Sequence, residues 1–192
     1  PRSTSSAASD VYKRQRMLHN STWGFLCPAE TPEGQSVGVV KNLSYMTHVT
    51  LSSDSEPIFA YIKPYIDNIE PCKPEELFGK VKVIVNGAWI GVVKGDAIAL
   101  YKDMKSKKSS GMLNIYTSIT FDFSNLEIKI CNDGGRVTRP LLKVNNNKLV
   151  LSNNIIKKLS KNELCWNDLL GNVNVENSII EYIDPDLSLI HI

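Results

Sequence analysis

Residues 80–93 have the sequence KVKVIVNGAWIGVV, in which two runs rich in Val and Ile flank the dipeptide Asn86-Gly87. Asn-Gly is favoured in two-residue type I′ turns, because both central residues of such a turn need a positive φ. We therefore predict a β-hairpin over residues 81–93. It is the clearest local structural signal in the chain.

The residues after the hairpin predict one helix and three more strands. Asp96 is expected to cap a helix that runs through about Lys105, with apolar positions at Ile98, Leu100, Tyr101 and Met104. Strand-like segments follow at 115–123, 126–132 and 136–144, and the turn sequence Asp133-Gly134-Gly135 predicts a hairpin between the last two. Residues 80–145 therefore read as a small β-rich α+β module centred on the 81–93 hairpin.

The flanking regions carry weaker signals. Residues 51–79 are rich in Pro and acidic residues, which predicts a connector containing a short helix or strand. Residues 145–162 are rich in Asn and Lys around NNIIKKLSK, which predicts a short surface helix. A last small cluster is expected from Trp166, Leu169, Leu170 and the IIEYID segment at 179–184. The predicted fold class is thus α+β, with several modules.

Composition excludes several classes of protein. The chain has 192 residues, 42% of them hydrophobic, and 22 basic against 20 acidic residues give a net charge of +2. This balance does not favour a protein that coats DNA by charge alone. The cysteines at positions 27, 72, 131 and 165 form no CxxC pair, and the three histidines do not complete a zinc site. No apolar run approaches 18 residues and no signal peptide is visible, so we expect neither a membrane span nor secretion.

Both ends differ in composition from the rest of the chain. Residues 1–15 (PRSTSSAASDVYKRQ) and 187–192 (LSLIHI) are similar to translated sequencing-adapter scars, and we predict that neither belongs to the fold. Residues 1–15 contain three basic residues and one acid, so the remaining residues have 19 of each sign and a net charge of zero. The slight basicity of the chain therefore comes from the predicted scar.

The densest motif is CPAETPEGQSVGVVKNL at residues 27–43. Glu30 and Glu33 have the spacing of an acid/base pair, but Thr31 as the cap of a short helical turn, with Pro32 in its first position, is the favoured interpretation. Gly34 and Gly38 predict close backbone packing. Lys41 and Asn42 could bind a phosphate or lie at a solvated helix end.

Other polar features have similar pairs of interpretations. The segment from Asp133 to Arg136 lacks the ending of a phosphate-binding loop. Arg136 and Arg139 fit an exposed strand face, with contacts to a partner or to acidic groups as the alternative. A basic cluster is expected to be solvated, with weak nucleic-acid contact as the alternative; it consists of Lys102, Lys105, Lys107 and Lys108. Nucleophile arrangements, dinucleotide motifs and carboxylate clusters for Mg²⁺ are lacking, so we predict no catalytic residue and no metal ligand in this chain.

Several blocks, taken in order, resemble the second-largest (β-like) subunit of multisubunit DNA-directed RNA polymerases of the eukaryotic, archaeal or large-DNA-virus type. These blocks are RMLHNSTWG at 16–24, CPAETPEGQ at 27–35, GVVKNL at 38–43, VNGAWIG at 85–91, DGGRVTRPL at 133–141 and EYID at 181–184. Phe25, Leu26 and Ile90, together with Ser36-Val37, depart from the usual family residues. The Asn-rich stretches are compatible with a protist or a large DNA virus as the source.

The resemblance implies a domain organisation and a set of site residues. Residues 16–50 correspond to the end of the fork region beside the active centre, 80–145 to the first external domain, and 150–186 to the start of the second. It implies that Glu30 and Gln35 face the active centre, that Arg16 is a basic residue of the same region, and that Lys41 and Asn42 lead away from it. The residues expected to maintain the motifs are Pro32, Gly34, Asn86, Gly87, Gly134 and Gly135.

The resemblance also implies the chemistry and the partners. Two Mg²⁺ ions held by the largest subunit would catalyse RNA synthesis, with no cofactor bound by this chain. The expected partners are the largest subunit, the other polymerase subunits, template DNA, the RNA–DNA hybrid and nucleoside triphosphates, in the nucleus or cytoplasm. The alternatives are a non-enzymatic scaffold derived from such a subunit and an unrelated binding module.

Overall fold

A five-stranded mixed sheet organises the middle of the chain. The computed structural model describes residues 16–69, 73–171 and 178–190, so the predicted scar at 1–15 lies outside the described residues. The strands of this sheet are β2 (Ile66–Asn68), β3 (Lys82–Val85), β4 (Ala88–Val93), β5 (Ser118–Asp122) and β6 (Glu127–Cys131). Their order in the sheet is β2–β4–β3–β6–β5, with β3 parallel to β6 and the other pairs antiparallel.

The predicted hairpin is confirmed as β3 and β4. Asn86 and Gly87 join the two strands with φ values of 48° and 81°, the positive pair that a type I′ turn requires. Val83 and Val85 alternate with more exposed neighbours and are fully buried in the core. The Asn-Gly turn and the alternation of buried and more exposed residues therefore both indicate a hairpin at this segment.

The helix after the hairpin begins where the sequence predicts. It spans Ala97–Ser109, and the Asp96 carboxylate accepts a hydrogen bond of 2.8 Å from the Ile98 backbone N–H. Leu100 and Met104 are buried against the sheet, whereas Ile98 is exposed. The helix continues one turn beyond Lys105, because this extra turn carries Lys108 into a buried ion pair described below.

Residues 51–79 contribute to the same core. Ile58 and Ile62 of the helix Glu56–Ile62 and Ile66 of β2 are all buried in the main hydrophobic cluster. A 3₁₀ turn at Lys63–Tyr65 joins that helix to β2, and a one-turn helix follows at Pro74–Leu77. The segment therefore contributes an edge strand of the sheet and a helix whose buried residues belong to the same core.

A second, three-stranded antiparallel sheet brings distant parts of the chain together. Its strands are β1 (His48–Val49), β7 (Val137–Leu142) and β10 (Ile180–Ile183), in the order β1–β7–β10. The predicted hairpin between β6 and β7 is therefore wrong, since β6 lies between β3 and β5 and β7 lies in the other sheet. The Asp133–Gly135 loop connects the two sheets. It is held by Thr50, whose carbonyl accepts from Gly135 N–H at 2.9 Å and whose N–H donates to Arg136 O at 2.8 Å.

The two glycines of this loop differ in their surroundings. A Cβ on Gly134 would lie 3.0 Å from the backbone nitrogen of Ser52, so the loop approaches the 50–53 segment closely. Gly135 has open space around it but a φ of +82°. Both glycines are thus required by a crossover between sheets and not by a hairpin.

The remaining elements lie towards the end of the chain. β8 (Val144–Asn145) and β9 (Lys148–Leu149) form a small hairpin, and the predicted surface helix is confirmed at Asn153–Ser160 with no buried residue. A 3₁₀ turn spans Trp166–Leu170, and a helix spans Pro185–Ile190. This helix includes residues 187–190 and buries Leu187, so the expectation that this segment lies outside the fold is wrong, while its origin as a scar stays a prediction. In the predicted last cluster Leu169 and Ile179 are buried, but Trp166 is exposed. The mixture of helices and strands confirms the α+β class.

Candidate functional site

The segment with the CPAETPEG motif is a loop closed by backbone contacts. The Cys27 N–H donates to Asn42 O at 2.9 Å and the Ser44 N–H donates to Phe25 O at 2.9 Å, while Leu26 and Leu43 form an isolated β-bridge. Residues 27–42 therefore leave and return at the same place and form a compact surface loop, here called the ETPEG loop. Its base is anchored by Phe25, whose side chain is 1% exposed.

Thr31 has a role that the sequence did not predict. Its hydroxyl donates to Val40 O at 3.1 Å and accepts from the Gly38 N–H at 2.9 Å, so it ties the two sides of the ETPEG loop together. The expected helical turn capped by Thr31 is wrong. A 3₁₀ turn instead spans Gly34–Ser36, preceded by Glu33 without a side-chain cap. Pro32 lies before this turn and not in its first position.

The two glycines of the loop also differ. A Cβ on Gly38 would lie 2.3 Å from the backbone oxygen of Arg16, which confirms the predicted close packing there. No described atom lies within 4 Å of a Cβ placed on Gly34, so the prediction of close packing is wrong for Gly34. Its φ of +81° is nevertheless in the region that favours glycine.

A pocket of about 170 Å³ lies between the ETPEG loop and residues 16–18. Arg16, Glu30 and Lys41 all line it, so three of the five predicted site residues share one concavity. The Arg16 Nε atom is buried and has no hydrogen-bond partner among the described residues. A guanidinium, an ammonium and a carboxylate around one opening can bind an anionic group and orient it.

The other two predicted site residues lie outside this pocket. The Asn42 side-chain amide donates to Glu30 O at 3.1 Å, so Asn42 fixes the backbone of Glu30. No helix end is present at Lys41–Asn42, which removes that interpretation. Gln35 is exposed in the 3₁₀ turn and does not line the pocket.

An apolar surface beside this pocket was missed by the sequence reasoning. Leu18, Trp23, Leu26 and Pro28 line a groove of about 670 Å³, and the Trp23 side chain is 72% exposed. Exposed aromatic and aliphatic groups of this extent mark interaction surfaces. Their scattered positions in the sequence give no periodic pattern, so no sequence signal could have identified them.

The two arginines of the 133–141 block have internal partners. Arg136 forms ion pairs with Asp133 at 2.7 Å and Asp184 at 3.4 Å, and its guanidinium donates to Tyr116 O at 3.0 Å. Arg139 lies over the Phe25 ring. The prediction of an exposed strand face is thus wrong, and contact with acidic groups is correct for Arg136.

The basic cluster of the 97–109 helix is not simply solvated. Lys108 is 6% exposed, and both Lys105 and Lys108 contact Glu181 of β10, at 3.3 and 3.4 Å. Burial is the main cause that lowers the pKa of Lys108 to about 8. Burial alone would raise the pKa of Glu181, but the neighbouring Lys108, Lys105 and Lys143 lower it below its usual range. Lys107 instead pairs with Asp103 on the same helix.

Neither a metal-binding cluster nor a membrane-spanning helix is found among the described residues. Within residues 16–69, 73–171 and 178–190, no three His, Cys, Asp or Glu side chains are grouped so that they could hold a metal ion. Among the described helices, none combines the length and the apolar character needed to cross a membrane.

Comparison with known proteins identifies two family domains in chain order. The model for RNA polymerase Rpb2, domain 3, matches residues 2–49, and the model for RNA polymerase Rpb2, domain 4, matches residues 83–145. Together they cover more than half of the chain. The first match includes residues 2–15, which the sequence analysis assigned to a scar; that assignment stays a prediction.

Relatives of the chain are named as polymerase subunits. It is 38% identical over 172 residues to DNA-directed RNA polymerase II subunit RPB2 of Encephalitozoon cuniculi, with 89% of this chain aligned. It is 36% identical over 174 residues to DNA-directed RNA polymerase II subunit 2 of Arabidopsis thaliana. It is 32% identical over 174 residues to DNA-directed RNA polymerase subunit 2 of Acanthamoeba polyphaga mimivirus. The aligned parts are 90% and 89% of this chain, and the chain spans 14% of each relative.

Proposed function

Because the chain belongs to the family of second-largest subunits of DNA-directed RNA polymerases, we propose that it acts as part of such an enzyme in DNA-templated RNA synthesis. One observation carries this proposal: two Rpb2 domain models match in family order on one chain, with relatives aligned over about 90% of it. The activity itself belongs to the assembled enzyme.

Within that enzyme, we assign the ETPEG loop to a wall of the active-centre cleft. Arg16 and Lys41 would contact phosphate groups of a nucleic acid or nucleoside triphosphate, with Glu30 limiting how the anion is oriented. The shared pocket and the orphaned Arg16 Nε support this assignment. Asn42 is a positioning residue that acts through the Glu30 backbone. Gln35, exposed at the tip of the loop, would contact the cleft contents separately.

We assign the metal chemistry to another subunit of the enzyme. Two Mg²⁺ ions held by the largest subunit would supply phosphodiester bond formation, and this chain would shape the cleft around them. The proposed partners are the largest subunit, other polymerase subunits, template DNA, the RNA–DNA hybrid and nucleoside triphosphates. The proposed location is the nucleus, or the cytoplasm for a viral enzyme.

A scaffold role is the alternative, and the exposed apolar groove around Trp23 favours it. The two roles predict different defects. A cleft wall changes the rate of nucleotide addition when its polar groups are altered, whereas a scaffold changes only the yield of the assembled complex.

The test uses the assembled polymerase that contains this chain. Glu30→Gln and Lys41→Met remove charge from the pocket, and Glu33→Gln removes the neighbouring charge that does not line it. We expect the first two variants to co-purify normally with the other subunits and to elongate a primed RNA several-fold more slowly, with Glu33→Gln unchanged. Normal elongation by both pocket variants would refute the cleft-wall role. Normal elongation together with reduced assembly would in addition favour the scaffold.

A further inference from the structure

Three lysines surround one glutamate at the junction of the 97–109 helix with β7 and β10. Lys105 Nζ and Lys108 Nζ lie 3.3 and 3.4 Å from the same Glu181 oxygen, Oε1. Lys143, just after β7, donates from Nζ to Ser109 Oγ at 3.1 Å and to Ser178 Oγ at 2.5 Å. All four charged side chains line one small cavity, here called the lysine cavity.

The charges in the lysine cavity do not balance. Three ammonium groups face one carboxylate, which leaves two positive charges without a counter-charge among the described residues that line it. Partly buried charge is costly unless it is paired. Burial lowers the pKa of both Lys108 and Lys143, although Glu181 acts in the opposite direction. One carboxylate therefore does not compensate the three lysines.

The cavity also presents donors that an anion could use. Lys105 Nζ has Glu181 as its one hydrogen-bond acceptor among the described residues, which leaves N–H groups to donate. Lys143 uses two of its three N–H groups on the serines, and the serine hydroxyls lie 3.2 Å apart. The Ser178 N–H donates to Ser109 O at 3.1 Å, which fixes this pair in place.

The size of the cavity limits what can enter. Its enclosed part measures about 20 Å³, room for a single water-sized atom. It shares Lys105, Lys143 and Glu181 with an open groove of about 770 Å³. An oxyanion could therefore place one oxygen in the cavity while its remaining atoms lie in the groove.

We propose that the lysine cavity binds a phosphate monoester dianion, a site separate from the ETPEG loop and beyond the proposed function. A dianion matches the excess of two positive charges. A phosphodiester carries one negative charge and would leave one lysine uncompensated, so a nucleic-acid backbone is disfavoured. Arg139 also lines the groove, outside the lysine cavity, and the walls formed by Leu141, Leu142 and Ile183 are apolar. These apolar walls suit the rest of a larger monoester, such as a phosphorylated side chain.

The test measures binding to the 192-residue chain by ³¹P NMR titration and by thermal unfolding, at pH 7.5 and constant ionic strength. Inorganic phosphate and a short phosphoserine peptide represent the two sources of a monoester, and a short single-stranded oligonucleotide without a terminal phosphate represents the diester. Lys143→Met and Ser178→Ala remove donors from the cavity. Lys102→Met is the matched control, since Lys102 is exposed on the same helix.

We expect both monoesters to bind and to compete with each other, and to raise the unfolding temperature more than chloride does. Lys143→Met should weaken phosphate binding at least tenfold and Ser178→Ala several-fold, with Lys102→Met unchanged. Tighter binding of the peptide than of inorganic phosphate would identify a phosphoprotein as the source; equal binding would identify a free phosphate. The proposal is overturned if chloride stabilises equally, if Lys143→Met and Ser178→Ala both keep full affinity, or if the oligonucleotide displaces phosphate.

Discussion

The guanidinium of Arg139 lies over the aromatic ring of Phe25, with its central carbon 5.2 Å from the ring centroid. This contact joins the base of the ETPEG loop to β7 of the three-stranded sheet. The approach is close, because a Cβ on Gly24 would lie 2.0 Å from a guanidinium nitrogen of Arg139. The position of the candidate site therefore depends on a residue more than a hundred positions away in sequence.

Phe25→Ala should destabilise the chain strongly. The ring is almost fully buried, so its removal loses apolar burial and the cation–π contact, and we expect a loss of about 3 kcal/mol in the free energy of unfolding. Urea denaturation at 25 °C measures this loss. Tyr45→Ala is the control, because Tyr45 is 98% exposed and its removal should change stability by less than about 0.5 kcal/mol. Equal effects of the two substitutions would contradict the packing described.

Gly87→Ala should destabilise the central hairpin. Gly87 has a φ of +81°, and an alanine there would be strained although nothing lies within 4 Å of its Cβ. We expect a loss of about 1 kcal/mol in unfolding free energy. Gly95→Ala is matched to it, since that position is equally open and its φ is not in the left-handed range. If Gly95→Ala proves the more harmful of the two in the same denaturation assay, the type I′ assignment is wrong.

The hairpin and the helix cap could be predicted because their causes are local. Asn86-Gly87 sets the turn, and Asp96 caps a helix through a contact two residues away. The Asp133–Gly135 loop was mispredicted because a turn sequence does not say which strand its exit will join. That choice depends on Thr50, 86 residues before Arg136.

The candidate site also has features that depend on distant residues and could not be predicted from local sequence. The residue types of the ETPEG loop indicated the family, but they could not show that Thr31 ties the loop to Gly38 and Val40. The lysine cavity was hidden because Glu181 lies 73 residues beyond Lys108. A run of lysines on a helix has the same pattern whether it is solvated or paired with a distant carboxylate.

Asn132→Ala should remove a buried side chain that joins several part-buried or exposed polar groups. The Asn132 side chain donates to Ser53 O at 3.0 Å and to Asp54 O at 3.1 Å, and it accepts from Asn86 Nδ2 at 2.7 Å. Because water can reach the Ser53, Asp54 and Asn86 groups left behind, the loss of these hydrogen bonds predicts a decrease of about 2 kcal/mol in unfolding free energy.

Urea denaturation and amide hydrogen exchange of β6 report this loss. Asn154→Ala, in the exposed 153–160 helix, serves as the control and should be nearly neutral. A neutral Asn132→Ala would mean that the Ser53 and Asp54 carbonyls find other donors, and the network would then not hold the 53–55 segment to β6.

The stability of the chain should rise with pH through the buried amine of Lys108. Its folded pKa is about 8, below the ordinary value of 10.5, mainly because of burial; Glu181 and Asp184 raise it and Lys105 lowers it further. Between these two values the unfolded chain keeps a proton that the folded chain has released, so the unfolding free energy increases with pH in that window. We expect this group to raise the unfolding free energy by about 2 kcal/mol between pH 7 and pH 9.5.

Urea denaturation across this range measures that increase. Lys108→Met should make the increase smaller by about 2 kcal/mol, and Lys102→Met should leave it unchanged. Because Lys143 and Cys131 also have shifted pKa values, the difference between variant and parent is the quantity to compare. Identical slopes for Lys108→Met and the parent chain would show that Lys108 keeps its proton in this range, and that Glu181 compensates its charge more fully than the burial indicates.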